Sequence, residues 1–240
     1  DYLSQFTTWL PYQHKVQAVL PGGMAAPMPI NRVTLNTHYG VELTDEQAMR
    51  DFLDKVRVPN DKPANALEYL QSVYGVELAE LFFGRYTRKM WGLDMLDMPV
   101  SVVARLPVRY GNEVDYFNDE YQCMPADGYL ALFERLLDHP NIEVQLNTVF
   151  ENDMENQYSH VFNSMPIDEY FENEFGPLPY RSIKFEHRFD ETFDYSVPTV
   201  NFTDTDKYTR KTAWPRYPGC GGIVGKHVTY EIPCSYEENN

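Results

Sequence analysis

The sequence predicts an α+β fold (mixed α/β), with a helical domain plus an antiparallel β-sheet. Two patterns along the 240 residues support this prediction. Apolar residues recur every three or four positions between residues 44 and 92, as they do along one face of an α-helix. From Arg181 onwards they alternate with polar residues, as in strands that bury one face. The length suits one large domain or two small ones.

Composition and charge exclude several classes of protein. The formal net charge is −16, so nucleic acids and anionic membrane surfaces would be repelled, and we expect neither as a partner. No apolar run is long enough to span a bilayer. The three cysteines lack CxxC spacing and the six histidines lack metal-ligand spacing. We therefore expect no metal site, and free thiols in a reducing cytoplasm.

The N-terminal part predicts a hairpin followed by a helix. Apolar segments flank the turn sequence PGG within residues 14–30, which indicates two antiparallel strands. Thr44 and Gln47 then have the spacing of a capping box, and apolar residues at helical spacing follow them. We therefore expect a helix over residues 44–56, ended by the sequence VPNDKP.

Three further helices are predicted in the segment that follows residue 56. One covers residues 64–74 and stops at Gly75, and a longer one runs from Val76 to Gly92. A short helix capped by Asp97 would follow. The apolar stripe of the longer helix has a spacing of four residues and consists of Leu78, Phe82, Tyr86 and Met90.

The C-terminal half predicts one more helix and several strands. The helix sequence GYLALFERLL follows Asp127, and we expect Leu130, Phe133 and Leu137 on its buried face. A strand is predicted over residues 142–146. Four further segments with alternating patterns should form an antiparallel sheet. These segments are SIKFEHRF, TVNFT, KYTRKTAW and KHVTYEI.

The sequence contains no familiar catalytic or phosphate-binding signature. It has no GxSxG elbow, no P-loop and no GxGxxG, and its carboxylates form no recognisable acid/base pair. The glycine-rich stretch over residues 218–225 lies between two strand candidates. A phosphate cradle lies between a strand and a helix, so we expect a loop there instead.

Three clusters of basic residues occur in this acidic chain. Each cluster alone is most often a solvated surface. Aromatic residues are interleaved with them, however, and an aromatic face can stack on a nucleobase while arginine binds a diphosphate through charge-assisted hydrogen bonds. Together these properties describe a nucleotide-sugar site. The clusters are Arg85/Arg88/Lys89, Arg105/Arg109 and Lys207/Arg210/Lys211/Arg216, and the aromatic residues are Tyr86, Trp91, Tyr116, Tyr208 and Trp214.

Several long motifs resemble those of prokaryotic UDP-galactopyranose mutases and occur in the same order. YTRKMWG is similar to the family pattern YT-x-K-x-WG, and RLPVR to R-[IL]-P-V-R. YFNDEYQCMP resembles YF-x-D-x-YQ-x-x-P, and NFTD precedes YTR as it does in the family. The likeness spans essentially the whole chain. Met90, Cys123 and the sequence NSMPID depart from the usual Gln, Gly and TGPID.

The resemblance implies three regions: a helical substrate domain with a mobile lid, an antiparallel sheet domain, and a remnant of a Rossmann-like FAD-binding domain. We expect the family's glycine-rich FAD motif and its C-terminal section to lie outside this chain, which would be inactive alone. The helical substrate domain would cover residues 37–120, with the lid near 97–109. The sheet domain would cover residues 13–36 and 181–240, and the remnant of the FAD-binding domain residues 1–12 and 121–180.

The resemblance also implies roles for individual residues. Arg105 on the lid and Arg210 from the sheet would be catalytic, because they would stabilise the diphosphate as it leaves. Tyr86 would lie against the uracil, with Thr87 beside it. The other substrate-binding positions implied are Asn31, Phe82, Trp91, Tyr116 and Asn201. No cofactor-binding residue is assigned.

Family members interconvert UDP-galactopyranose and UDP-galactofuranose with reduced FAD, whose N5 atom attacks the anomeric carbon. The resemblance therefore implies a flavin-dependent isomerase, UDP-galactose and UDP-galactofuranose as ligands, and a homodimer. Two alternatives stay open. One is a catalytically silent nucleotide-sugar-binding fragment, and the other is an FAD-dependent oxidoreductase of the amine-oxidase type. The paired arginines argue against the latter, because an amine substrate has no diphosphate.

Overall fold

Regular structure covers much of residues 2–220 and 227–239, which the computed structural model describes, and the α+β prediction is confirmed. The strands are β1 (Trp9–Pro11), β2 (Val16–Val19), β3 (Ala25–Met28), β4 (Cys123–Pro125), β5 (Arg181–Phe189), β6 (Thr199–Phe202), β7 (Arg210–Ala213) and β8 (His227–Ser235). The α-helices are α1 (Arg32–Tyr39), α2 (Glu46–Val56), α3 (Ala66–Tyr74), α4 (Val76–Ala79), α5 (Arg85–Trp91), α6 (Gly128–Leu137) and α7 (Ile167–Tyr170). Most of the loop predicted at 218–225 lies outside the described residues.

A six-stranded sheet in the order β3-β2-β6-β7-β8-β5 forms the centre of the fold. The predicted hairpin is confirmed, because β2 and β3 pair antiparallel with Val16 opposite Met28. The four C-terminal strands are confirmed as β5 to β8. The sheet is not antiparallel throughout, since β2 and β6 are parallel, with Val16 opposite Thr199. Parallel strands need a crossover connection. The connection from β2 to β6 is so long that local sequence patterns could not indicate that these two strands pair.

Side-chain caps determine where three of the helices begin. Asn31, Asp45 and Asn65 each accept a hydrogen bond from the backbone N–H three residues further on. The capping box predicted at Thr44 is therefore wrong by one residue, and Ala48 N donates to the Asp45 carboxylate at 2.8 Å. Helix α1 escapes prediction because it has only two buried residues and hence no apolar stripe.

A π-helical turn, Glu80–Gly84, interrupts the long helix predicted to run to Gly92. A π turn adds one residue to the helical repeat and rotates everything beyond it about the axis. As a result, Thr87 rather than Tyr86 continues the buried face and is 4% exposed. Tyr86 is turned towards Arg210 on β7, and the two side chains interact. The end of the helix at Gly92 is confirmed, with φ at 67°.

Helix α6 is confirmed, but its buried face is not the predicted one. The prediction that Leu130, Phe133 and Leu137 face inward is wrong, because 75%, 56% and 42% of their surface is exposed. Leu132 is buried instead. The helix packs on β4, which pairs only with the short strand β1. Such a narrow sheet covers one line of side chains and leaves the rest of the apolar face uncovered. Asp127 precedes the helix, but its side chain makes no capping hydrogen bond.

Two other local predictions are wrong. Residues 142–146 form no strand; the apolar side chains Ile142, Val144 and Leu146 are exposed, and a strand needs a hydrogen-bonded neighbour to be stable. Asp97 caps no helix. Asp94 accepts a hydrogen bond from Leu96 N at 3.3 Å and caps a short 3₁₀ turn instead.

Lys89 joins helix α5 to the sheet. Its ammonium group donates to the backbone carbonyls of Phe202, Asp206 and Tyr208 at 2.8, 3.0 and 2.7 Å, and it lies 3.7 Å from the Asp204 carboxylate. Phe202 is the last residue of β6, and the other three lie in the connection between β6 and β7. Burial lowers the pKa of Lys89, although Asp204 opposes this effect. Lys89 is thus a structural cation, which its place in a basic cluster did not indicate.

We expect Lys89→Met to lower the free energy of unfolding by about 3 kcal/mol, because three carbonyls would lose a charged donor. Urea unfolding followed by circular dichroism would measure this change. Lys55→Met, at an exposed position on α2, is the matched control and should change stability by less than about 0.5 kcal/mol. A Lys89→Met chain as stable as the wild type would contradict the bridging role.

Candidate functional site

A cavity of about 910 Å³ lies over one face of the six-stranded sheet. Side chains two apart on a strand point to the same face, so alternate polar residues of adjacent strands line the cavity together. The intervening residues, such as Val200, Val228 and Tyr230, belong to a hydrophobic core on the other face. Three strands contribute two polar residues each to the lining: Thr199 and Asn201 on β6, Arg210 and Thr212 on β7, and Thr229 and Glu231 on β8.

Four of the site residues predicted from the sequence line this cavity. Asn201 and Arg210 belong to β6 and β7, whereas Arg105 and Tyr116 lie on the segment that faces the sheet. Tyr86 joins them indirectly, because its hydroxyl interacts with the Arg210 guanidinium. The structure therefore brings both predicted arginines and both predicted tyrosines to one place.

Arg210 is held in position by its neighbours in the sheet. Asn201 and Glu231 are its partners in the adjacent strands. Its Nε donates to Asn201 Oδ1 at 3.2 Å, and its Nη1 lies 3.5 Å from a Glu231 carboxylate oxygen. The Arg210 side chain nonetheless remains 36% exposed, so part of the guanidinium still faces the cavity.

Tyr86 supports Arg210 from the helical side. Burial raises the pKa of Tyr86, although the positive charge of Arg210 opposes this effect. The phenol therefore stays protonated at neutral pH. A neutral phenol does not neutralise the charge of Arg210, which remains available to an anion.

Arg105 is positioned quite differently. It is exposed and follows the 3₁₀ turn Val100–Val102. Within the part of the chain that the structure describes, its guanidinium makes no hydrogen bond and no ion pair with another residue. One cation of the cavity is thus anchored and the other has its donors available. A site of this kind can hold a doubly charged group such as a diphosphate between them. Movement of a lid over residues 97–109 stays a prediction.

Four other predicted residues do not line the cavity. Asn31 is completely buried; its Oδ1 caps α1 and its Nδ2 donates to the Glu113 carbonyl at 3.1 Å. Phe82 and Thr87 are buried, and Trp91 is 45% exposed at the end of α5. Their substrate-binding roles stay predictions.

The sequence reasoning missed several aromatic and polar residues of the cavity. His14, His187, Tyr217 and Phe117 line it without having been proposed for the site. Trp214, already noted beside a basic cluster, also lines it and donates from Nε1 to Thr229 Oγ1 at 2.6 Å. The sequence does show which strand residues face the cavity, because a polar residue stands at every second position. The pattern is Thr-x-Asn in β6, Arg-x-Thr in β7 and Thr-x-Glu in β8. In β5 the same spacing places Phe185 and His187 beside them.

A second cavity of about 370 Å³ adjoins the first and shares His14, Phe117 and Tyr217 with it. Aromatic rings and sulfur-containing side chains line it, including Tyr12, Tyr121, Cys123 and Met124. Flat rings and a thioether suit an extended aromatic ring system. Among residues 2–220 and 227–239, no cluster of three or more His, Cys, Asp or Glu could hold a metal ion, and no helix is long and apolar enough to cross a membrane.

Comparison with known proteins agrees with this geometry. The family model described as UDP-galactopyranose mutase matches residues 81–240. The dTDP-fucopyranose mutase of Escherichia coli is 35% identical over 88% of this chain, and a probable UDP-galactopyranose mutase of Klebsiella pneumoniae is 33% identical over 88%. A crystal structure of reduced UDP-galactopyranose mutase superposes with a TM-score of 0.64 over 98% of the chain at 16% identity, which supports the fold.

The fold and these matches place the chain among the homologues of the pyranose mutases. More particularly, it belongs to the UDP-galactopyranose mutase family. The chain spans 58% and 55% of the length of the two sequence relatives and 61% of the solved structure.

Because Asn201 orients the Arg210 guanidinium, we expect Asn201→Ala to weaken binding of inorganic pyrophosphate about tenfold, the effect of losing one hydrogen bond to a charged group. Isothermal titration calorimetry would measure this. Asn156→Ala, at an exposed site in a 3₁₀ helix, is the control and should bind as the wild type does. Unchanged affinity in Asn201→Ala would show that Arg210 needs no such support.

Proposed function

We propose that this chain forms the nucleotide-sugar-binding half of a flavin-dependent isomerase that interconverts UDP-galactopyranose and UDP-galactofuranose. The observation that carries the proposal is the convergence of Arg105, Arg210, Tyr116 and Asn201 on one cavity in a chain of this family. The cytoplasmic location and the homodimer stay predictions.

The two arginines would act on the leaving group. Breaking the bond between the anomeric carbon and the diphosphate leaves negative charge on the nucleotide. Arg210, anchored by Asn201 and Glu231, and the unpaired Arg105 would face that charge as it develops. Contacts that strengthen in the transition state raise the rate of reaction rather than only the affinity.

The second cavity fits the flavin ring that the family uses. Tyr12, Phe117 and Tyr217 present flat faces there, and Met124 adds a polarisable side chain. When bound, reduced FAD supplies the nucleophile for the anomeric carbon. Because His14, Phe117 and Tyr217 belong to both cavities, the sugar would lie between the diphosphate and the ring.

The E. coli relative supports a second candidate substrate. It is a dTDP-fucopyranose mutase, and its identity to this chain is as high as that of the Klebsiella protein. A dTDP-linked 6-deoxy sugar offers the same diphosphate to both arginines. Comparing the affinities of UDP-galactose and dTDP-fucose for the chain would decide between the two nucleotides.

We expect Arg105→Ala and Arg210→Ala each to weaken UDP binding at least tenfold, since each removes a charge-assisted bond to the diphosphate. Trp214 lies in the cavity, so its fluorescence should report occupancy. Arg57→Ala removes an exposed ion pair with Asp54 at the end of α2 and serves as the control. Equal UDP affinity in all four proteins would refute the arginine assignment.

If the wild type shows no saturable response to UDP while circular dichroism shows it folded, the proposed function fails for this chain. If UDP binds and both arginine variants bind it equally well, nucleotide binding stands but the leaving-group role of the arginines fails. The two outcomes thus separate the ligand from the mechanism.

A further inference from the structure

Tyr116 and Phe117 belong to a segment without regular structure. Between the 3₁₀ turn Val100–Val102 and β4, residues 103–122 form no helix and no strand. Tyr116 nonetheless lines the first cavity, and Phe117 lines both cavities. A segment that lacks a repeating pattern of backbone hydrogen bonds is usually more mobile than a helix or a strand. Other contacts must therefore hold these two rings in the cavity walls.

The guanidinium of Arg109 bonds to the chain on both sides of Tyr116. Its Nη2 donates to the Asp115 carbonyl at 3.0 Å and to the Phe117 carbonyl at 3.4 Å. Its Nη1 donates to Asn118 Oδ1. A guanidinium presents its donors in a rigid, planar fork, so the three acceptors keep fixed positions relative to one another. Tyr116 stands between two of them in the chain and is held with them.

The backbone of Arg109 is itself fixed to the core. Its N–H donates to the Ile30 carbonyl at 3.1 Å, and Arg109 forms an isolated β-bridge with Asn31. Ile30 and Asn31 are 1% and 0% exposed. On the other side, Tyr116 N donates to the carbonyl of His14, just before β2, at 2.9 Å. Tyr116 is thus attached to the rest of the chain at two places, one of which depends on the Arg109 side chain.

The two arginines of the sequence RLPVR have different surroundings. Arg105 is exposed and its donors are available, whereas the Nη atoms of Arg109 bond to the protein and its Nε is buried without a partner. Arg109 lines neither cavity. Its acceptors are two carbonyls and an amide, and no carboxylate of residues 2–220 and 227–239 forms an ion pair with it. These contacts suit a residue that holds a cavity wall rather than one that binds a ligand.

We propose that Arg109 is a positioning residue of the site, whose guanidinium holds residues 115–118 so that the Tyr116 phenol and the Phe117 ring stay in the cavity walls. Tyr116 would contact the ligand, and Arg109 acts only through it. The inference rests on the proposed function where it concerns nucleotide binding. The position of the Tyr116 ring, however, can be measured without any ligand.

Fluorine NMR reports on the ring directly. The tyrosines of the full chain would be replaced biosynthetically by 3-fluorotyrosine, and the signal that disappears in Tyr116→Phe belongs to Tyr116. We expect a narrow Tyr116 signal in the wild type and a broadened or split one in Arg109→Gln, because the released ring would sample several positions. Asn118→Ala removes a single acceptor at an exposed position and should give a smaller change of the same kind.

UDP affinity, measured by calorimetry, tests whether Arg109 acts through Tyr116. Arg109→Gln should weaken UDP binding about fivefold, close to the loss of one hydrogen bond. Arg109→Lys should recover part of this loss, because an ammonium group can still donate to one of the carbonyls. In a Tyr116→Phe background, Arg109→Gln should weaken binding by less than about twofold. A general loss of stability would instead weaken both backgrounds equally.

Arg135→Gln is the matched control. Arg135 also donates to a backbone carbonyl, that of Phe6 at 2.9 Å, and lines neither cavity. Its replacement should leave the Tyr116 signal and the UDP affinity as in the wild type. Circular dichroism and thermal unfolding would show that each variant is folded. If Arg109→Gln does not fold, Arg109→Lys and Asn118→Ala take its place in both measurements.

The outcomes separate this proposal from the proposed function. A Tyr116 signal that is unchanged in the clamp variants, or fully additive losses of UDP affinity, would overturn the role of Arg109 and leave the proposed function standing. A folded wild type that binds no UDP would overturn the proposed function. In that case a broadened Tyr116 signal in Arg109→Gln would still support Arg109 as the residue that positions this ring.

Discussion

The geometry of the site depends on the Lys89 ammonium group, which fastens the helical layer to the sheet. One cation satisfies three carbonyls, at the end of β6 and in the connection between β6 and β7, and Arg210 begins the strand that follows. The same helix carries Tyr86, which interacts with Arg210 from the other side. Helix α5 therefore contacts the sheet at two points, through Lys89 and through Tyr86. These contacts hold the helix and β7 in a fixed relative position, and with them the Arg210 guanidinium.

The two arginines of the cavity are held differently, and this difference determines the chemistry that the cavity can support. Arg210 is held by Tyr86, Asn201 and Glu231, so little side-chain entropy remains to be lost when an anion binds. Arg105 lies on an exposed turn, and within the described chain its donors have no protein partner. An anchored cation defines where a diphosphate sits, and an unpaired one can complete the contact when the ligand arrives. In a chain of net charge −16, this local pair of cations would attract an anionic ligand that the rest of the chain repels.

Sequence could predict those parts of the fold in which local pattern and tertiary structure agree. Strand alternation located β5 to β8, and Gly92 marked the end of α5, because each pattern reflects one residue's own backbone or burial. The errors arose where a partner distant in sequence decides the outcome. Leu130 and its neighbours on α6 lack a covering layer, and residues 142–146 lack a strand to pair with. The parallel pairing of β2 with β6 has no local signature.

The candidate site shows the same limits. Family motifs led to Arg105, Arg210, Tyr116 and Asn201, which the fold does bring to one cavity. His14 carried no motif of its own and became visible only as a residue that lines both cavities. The π turn is equally hidden, since the four-residue spacing that predicts a regular stripe also fits a helix with one inserted residue.

We infer that Lys89 serves the site by positioning Arg210, and a double-mutant cycle tests this role most directly. UDP affinity would be measured for the wild type, Lys89→Met, Arg210→Ala and the double variant, at a temperature where all four are folded. We predict that Lys89→Met weakens binding in the wild-type background but has almost no further effect once Arg210 is gone. Fully additive losses would contradict the claim and leave Lys89 with a role in stability alone.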